Sequence, residues 1–188
     1  MARTADLPAY IVVTAALALA AMAVPAHAQN DSFSTGPLIE EFGPVANVDA
    51  DMAIPANTKF HVAFDVSEGA KSGELSRSLV SVARFLNMHV RAGVPAENIR
   101  LAVVVHGKAS QDLTVQSVYA KSHDGATNAN APLIAALTRH GVRIILCGQS
   151  ASAYGIDKED LLPDVEMALS AMTAHALLQQ QGYTLNPF

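Results

Sequence analysis

The chain has 188 residues, a formal net charge of −5, a single cysteine and no tryptophan. This length suits one domain with a substantial hydrophobic core. The acidic balance, with no cluster of basic residues, argues against a nucleic-acid-binding surface. The absence of tryptophan and the low aromatic content argue against a large aromatic binding platform.

The first 28 residues have the three parts of a secretory signal peptide. Arg3 supplies positive charge, residues 9–24 form an uncharged and mostly apolar run, and Ala26 and Ala28 make a small-x-small cleavage pattern. The alternative is a membrane anchor, but the run is shorter than the roughly 20 apolar residues that a span needs. We therefore expect cleavage after Ala28 and a periplasmic or secreted mature protein without membrane attachment.

Residues 29–58 are predicted to form an extended arm that precedes a single domain at 59–188. Gly36-Pro37, Gly43-Pro44 and Ile54-Pro55 punctuate this segment. It could pack on its own domain or on a neighbouring subunit, or it could be a tether left after cleavage. Because the arm has no obvious place on the domain, we expect a homo-oligomer in which it reaches a neighbour.

Strands alternate with helices in the first half of the domain. Apolar runs predict strands at 60–64, 99–105 and 142–146, and helical spacing predicts helices at 74–91, 111–120 and 132–140. The first helix has an apolar face formed by Leu75, Leu79, Val82, Leu86 and Val90. Its polar residues, which include Asn87 and Arg91, are predicted to lie elsewhere on the helix surface.

The second half of the domain is less regular. Asp157 is a plausible N-cap for a short helix over 156–162. Alternation of Val165, Met167 and Leu169 favours a fourth strand before a helix at 173–181, against the alternative of one long helix over 164–181. A short strand is predicted at 183–185. This order of elements indicates an α/β fold, with a mainly parallel sheet covered by helices on both faces.

The lone cysteine, Cys147, ends the third predicted strand. In open parallel sheets, ligands bind at the carboxyl ends of the strands, and three of these ends carry residues 65–68, 106–108 and 147–150. If the second and third strands are neighbours, His106 lies beside Cys147 and could hold it as the reactive thiolate. The alternatives are a cysteine that fills the core and a neutral histidine that bonds a loop carbonyl.

No other motif indicates a catalytic or binding site. Phosphate-cradling glycine loops and the G-x-S-x-G elbow are absent, and Lys108 is most simply a solvated lysine. No two histidines share a short ligand spacing, so we expect neither a metal nor a cofactor. The histidines that are weaker candidates than His106 are His61, His89, His123, His140 and His175.

Several short motifs, taken in order, resemble the DsrE/DsrF-like family. They are His140-Gly141-Val142 followed after four residues by Cys147, and then Gly155-Ile156-Asp157. The exported branch of the family has further similar features, namely His106-Gly107 at a strand end, the turn Cys147-Gly148-Gln149-Ser150 and a closing Gly182-Tyr183. The similarity covers approximately 59–188.

This resemblance implies a three-layer α/β/α fold with a five-stranded, mainly parallel sheet, and assembly into trimers or hexamers. In the sulfur-relay members, the cysteine that matches Cys147 carries a persulfide. The sequence therefore suggests an exported thiol protein that accepts or carries sulfane sulfur on Cys147, with a sulfur donor or acceptor protein as its partner. The alternatives are a non-enzymatic assembly module with a structural cysteine, and a redox sensor that forms an intersubunit disulfide.

Overall fold

The computed structural model describes residues 32–186, so the predicted signal peptide lies outside the described residues. No helix within this range is both long and apolar enough to cross a membrane. The strands are β1 (Phe33–Ser34), β2 (Val45–Ala46), β3 (Phe60–Val66), β4 (Ile99–Val105), β5 (Arg143–Cys147), β6 (Val165–Ala168) and β7 (Thr184–Asn186). The α-helices are α1 (Arg77–Arg91), α2 (Gln116–Ser122), α3 (Asn130–Arg139), α4 (Gly148–Tyr154) and α5 (Ala171–Gln180).

Five of the strands form one parallel sheet in the order β6-β5-β4-β3-β7. Residues of α1 and α3 share a large apolar cluster with one face of the sheet. On the other face, Ala174 and Leu178 of α5 pack on Ala102, Val104 and Ile145. The predicted three-layer α/β/α architecture is confirmed.

The second half of the domain resolves as a strand followed by a helix, as the alternation predicts. The alternative of one helix over 164–181 is wrong, because β6 pairs with β5 and Ser170 then begins α5. The side chain of Ser170 accepts a hydrogen bond from the backbone N–H of Thr173 at 3.0 Å, which is the usual way in which an N-cap satisfies a free amide.

The helix predicted at 111–120 is divided into two elements, and the helix predicted at 156–162 is shorter than expected. A 3₁₀ helix spans Gly107–Leu113 before α2 begins, and another spans Lys158–Asp160 with Asp157 as its N-cap. The two segments meet at a bridge between Thr114 and Leu161. This long-range pairing interrupts the local helical pattern in both places.

Asn87 was predicted on the outer surface of α1, and this prediction is wrong because the residue is 0% exposed. Its Oδ1 accepts the N–H groups of Leu38 and Ile39 at 3.2 and 2.8 Å. Its Nδ2 donates to the carbonyls of Ile39, Phe42 and Gly43. A single side chain thus satisfies the backbone of the arm where that backbone turns over the helix.

The described part of the arm packs on α1 of the same chain. The Arg91 guanidinium donates to four arm carbonyls, those of Ser34, Thr35, Gly36 and Val45. A Cβ at Gly43 would collide with the backbone of α1, so only glycine allows this close approach.

A second correction concerns Leu75, which precedes the start of α1 and is exposed rather than part of its buried face.

Replacing Asn87 with alanine is expected to release the arm. Asn87→Ala leaves buried N–H and C=O groups of the arm without partners, and the free energy of unfolding should fall by about 2 to 4 kcal/mol. Urea denaturation measures this loss, and limited proteolysis should cut first within residues 33–46. Asn47→Ala, at an exposed position of the same segment, is the matched control. Equal stability of Asn87→Ala and Asn47→Ala would contradict the anchoring role.

Candidate functional site

Three polar residues form a row along the carboxyl edge of the sheet. Asp65 lies near the end of β3, His106 follows β4 directly, and Cys147 is the last residue of β5. Val105 pairs with Leu146, so the next residues, His106 and Cys147, lie level on neighbouring strand ends. The backbones of neighbouring strands are about 4.8 Å apart.

The three side chains of this row point toward α5. Ala63, Val104 and Ile145 belong to the apolar cluster that packs against this helix. Asp65, His106 and Cys147 each lie two residues further along an extended backbone, and side chains two apart share a face. The condition on which the expected approach of His106 to Cys147 depends is met, because β4 and β5 are neighbours.

The sulfur of Cys147 lies at the beginnings of two helices. Cys147 is the N-cap residue of α4 without a side-chain capping hydrogen bond. The backbone N–H groups of Gln149 and Ser150 act as donors near its sulfur and lower the pKa of the thiol. The N–H of Ala171, the first residue of α5, and the Ser150 hydroxyl do the same. N–H groups in the first turn of a helix lack intrahelical partners, and the helix dipole favours negative charge there.

The hydrogen bonds to the sulfur outweigh the effect of burial. Cys147 is only 5% exposed, and this burial by itself raises the pKa of the thiol. The hydrogen bonds from Ser150, Ala171 and Gln149 lower the pKa, and the net result is a pKa below the ordinary thiol value. The thiolate, which is the nucleophilic form of cysteine, is therefore favoured at this position.

A glycine allows α5 to come this close to the sulfur. A Cβ at Gly148 would lie 2.7 Å from the carbonyl oxygen of Ala168, so the turn from β6 into α5 rests directly on the backbone after Cys147. The Gln149 side chain donates to the Leu169 carbonyl at 3.2 Å and ties the same turn to α4. The Ser150 Oγ accepts the N–H of Gly107 at 3.0 Å, which leaves its own hydrogen free for the sulfur.

His106 lies beside Cys147, and its Nε2 faces Asp65 at 3.1 Å from Oδ2. The other carboxylate oxygen, Oδ1, is 2.7 Å from Nε2 of His175 on α5. Asp65 thus holds two imidazoles at once. Partial burial raises the pKa of Asp65, but its hydrogen bonds with His106 and His175 lower the pKa by more. The net pKa is below the ordinary carboxyl value, so the carboxyl is held ionised.

The role of His175 was missed by the sequence reasoning, which placed it among the weaker histidines. It is 110 residues from Asp65 in the chain, and no local spacing connects the two. The other histidines in the described part of the chain do not join the row; His89, for example, stacks on Phe85 and His123 on Tyr119. Within residues 32–186, no three His, Cys, Asp or Glu side chains are placed to hold a metal ion.

Removing the Ser150 hydroxyl is expected to make the thiol less acidic. Ser150→Ala deletes one donor that lowers the pKa of Cys147, so this pKa should rise and the thiol should react more slowly with iodoacetamide at neutral pH. The pH dependence of alkylation, followed by mass spectrometry, measures this shift. Ser152→Ala, at an exposed position of the same helix, should behave like the unmodified protein. Identical profiles for both variants would show that the hydroxyl does not stabilise the thiolate.

Comparisons with known proteins find similar solved structures and a matching family. The MTH1491 protein of Methanobacterium thermoautotrophicum, described as a protein of unknown function, matches with a TM-score of 0.51 and 22% identity over 69% of this chain and 100% of its own. The YchN protein of E. coli matches with a TM-score of 0.47 and 20% identity over the same shares. A comparison with curated proteins finds no match. The DsrE/DsrF-like family matches residues 59–187, and this chain therefore belongs to that family.

Proposed function

We propose that the protein accepts sulfane sulfur on Cys147 and carries it as a persulfide. Membership of the DsrE/DsrF-like family suggests a role related to sulfur relay. The observation that carries the proposal is the convergence of hydrogen-bond donors from Gln149, Ser150 and Ala171 on one sulfur atom. A cysteine that only fills the core does not need such donors.

These donors suit both states of a sulfur carrier. In the empty state they hold the Cys147 thiolate, which attacks the outer sulfur of a donor persulfide, R–S–SH. The S–S bond of the donor breaks, its electron pair leaves with R–S⁻, and Cys147 gains one sulfur atom. In the loaded state the new persulfide, once its SH group has released its proton, carries a negative charge next to the first turns of two helices, where anions are favoured.

The slight exposure of Cys147 supports a sulfur carrier over a redox sensor. A disulfide between two copies requires the Cβ atoms to come within about 3.5 to 4.5 Å of each other. A side chain that is 5% exposed and packed between two helix starts is poorly placed for that approach. A small donor, or one extended sulfur atom from a partner protein, needs much less room.

His106 is the proposed neighbour of the reacting sulfur. It occupies the strand end next to Cys147 and is partly exposed. Its imidazole can therefore stand beside both the thiolate and an incoming donor, as the sequence analysis predicted for a thiolate partner.

Treatment with a small persulfide donor is expected to add the mass of one sulfur atom to the protein at Cys147. Peptide mapping by mass spectrometry locates the addition, and a reductant should remove it. Cys147→Ser should show no such mass, whereas His140→Gln, an exposed change away from the site, should load normally. An unmodified Cys147 after treatment of folded protein would refute the sulfur-carrier role.

Thiol-reagent kinetics test the alternative of a structural cysteine. A sulfur carrier should be alkylated in the native protein at a measurable rate that follows the thiolate fraction. A structural cysteine should react only after denaturant is added. The comparison of the two conditions separates these functions before any sulfur donor is identified.

We further propose that the protein is exported and assembles into a trimer or hexamer. The N-terminal pattern supports export, and two strongly exposed apolar residues beside the site, Leu169 at 73% and Met172 at 80%, support assembly. Expression of all 188 residues in a Gram-negative host should place a protein that begins at Gln29 in the periplasmic fraction. Light scattering should give a multiple of the chain mass. An uncleaved N-terminus argues against export, and a monomeric mass argues against assembly.

A further inference from the structure

A carboxylate shared by two histidines stands on the same sheet face as the reactive cysteine. Asp65 uses one oxygen for His106 and the other for His175, at 3.1 and 2.7 Å. Both contacts are made by Nε2, so each imidazole carries a hydrogen on that nitrogen and presents Nδ1 elsewhere. This arrangement of a carboxylate and an imidazole is the one that orients a histidine for proton transfer.

The second nitrogen of His175 has no partner. Nδ1 of His175 is buried and makes no hydrogen bond within the described residues. A buried nitrogen without a partner costs free energy, and such atoms in native structures often have a functional explanation. Within the described residues, the ring of His175 is thus held through Nε2 by Asp65.

The same helix contributes to the surroundings of the sulfur and of Asp65. Ala171, whose N–H bonds the Cys147 sulfur, lies four residues before His175 on α5. Residues four apart share one helix face, and side chains lean toward the helix N-terminus. His175 therefore shares a helix face with Ala171 and contacts Asp65 one turn further along, while His106 lies on the strand end next to Cys147.

We propose that Asp65, His106 and His175 form a proton-donating network for sulfur transfer to Cys147. His106, the residue nearest along the sheet edge, is the general acid. Asp65 is a positioning residue that holds its imidazole, and His175 is a positioning residue that holds the Asp65 carboxylate. The inference rests on the proposed function, since it names the proton source for that reaction.

The leaving thiolate gives such a donor a role in the reaction. The Cys147 thiolate attacks the outer sulfur of R–S–SH, and the S–S bond of the donor breaks with its electron pair on R–S⁻. The His106 imidazolium gives its proton to R–S⁻, so the products are Cys147–S–SH, R–SH and neutral imidazole. A proton from solvent then restores the imidazolium, and no oxidant or reductant takes part.

Among residues 32–186, Asp65 is the only acid at this end of the α5-covered face. Glu68 and Lys108 follow the strand ends and are exposed, and β7 contributes no titratable group. The other charged or titratable residues of this face lie toward the amino ends of the strands or after α5. They are His61, Arg100, Arg143, Glu166 and Tyr183.

Two reactions of the same thiol test the network. Alkylation by iodoacetamide releases iodide, which takes no proton, whereas loading from a small alkyl persulfide releases a thiolate, which does. Both rates are measured from about pH 5 to 9, across the range in which histidine changes charge. The variants are Asp65→Asn, His106→Gln and His175→Gln, with His140→Gln as the control.

The ratio of loading rate to alkylation rate should fall about a hundredfold in His106→Gln and Asp65→Asn, the lower end of general-acid effects. In His175→Gln, the ratio should fall less. In the unmodified protein the ratio should decline at alkaline pH, and in His106→Gln this decline should be lost, which a merely structural role would not cause. Circular dichroism establishes that each variant folds. If Asp65→Asn does not fold, His106→Gln, which keeps a polar side chain of similar reach, tests the network by itself.

The two proposals fail in different ways. If Cys147 of the unmodified protein takes up no sulfur, the proposed function is wrong, and the proton network falls with it. If the unmodified protein loads and the three variants keep its ratio and its pH profile, the sulfur-carrier role stands and the network is wrong.

Discussion

The site depends on the register of three parallel strands. β3, β4 and β5 are aligned so that Asp65, His106 and Cys147 reach the same edge and the same face. Because side chains alternate along a strand, a slip of one residue would turn a whole strand's set to the opposite face. The apolar residues below them, packed against α5, make such a slip costly, so the same core that stabilises the sheet also positions the polar row.

The helix α5 completes what the strands begin. Its first N–H group reaches the Cys147 sulfur, and one turn later His175 reaches Asp65. This double contact requires the turn before α5 to rest on the backbone at Gly148, where any larger residue would meet a carbonyl oxygen. α5 thus contributes both to the surroundings of the thiol and to the pairing of Asp65 with His175, and both are sensitive to its position.

The sequence predicted the parts of this site that are local. The apolar runs of β4 and β5 and the position of Cys147 at a strand end were read correctly, because buried parallel strands have a strong local pattern. The same reasoning failed at Asn87, because a polar residue on a helix reads as exposed. The arm covers that side of α1, and a buried asparagine then supplies hydrogen bonds that an apolar residue cannot make.

The sequence by itself determined the α/β class, the family and the single thiol at the carboxyl end of a strand, since these follow from periodicity and from motifs close together in the chain. Only the tertiary structure decided what surrounds that thiol. The Ala171 amide and the pairing of Asp65 with His175 link segments far apart in the chain. No local pattern encodes such contacts, because they arise from the path of α5 across the sheet.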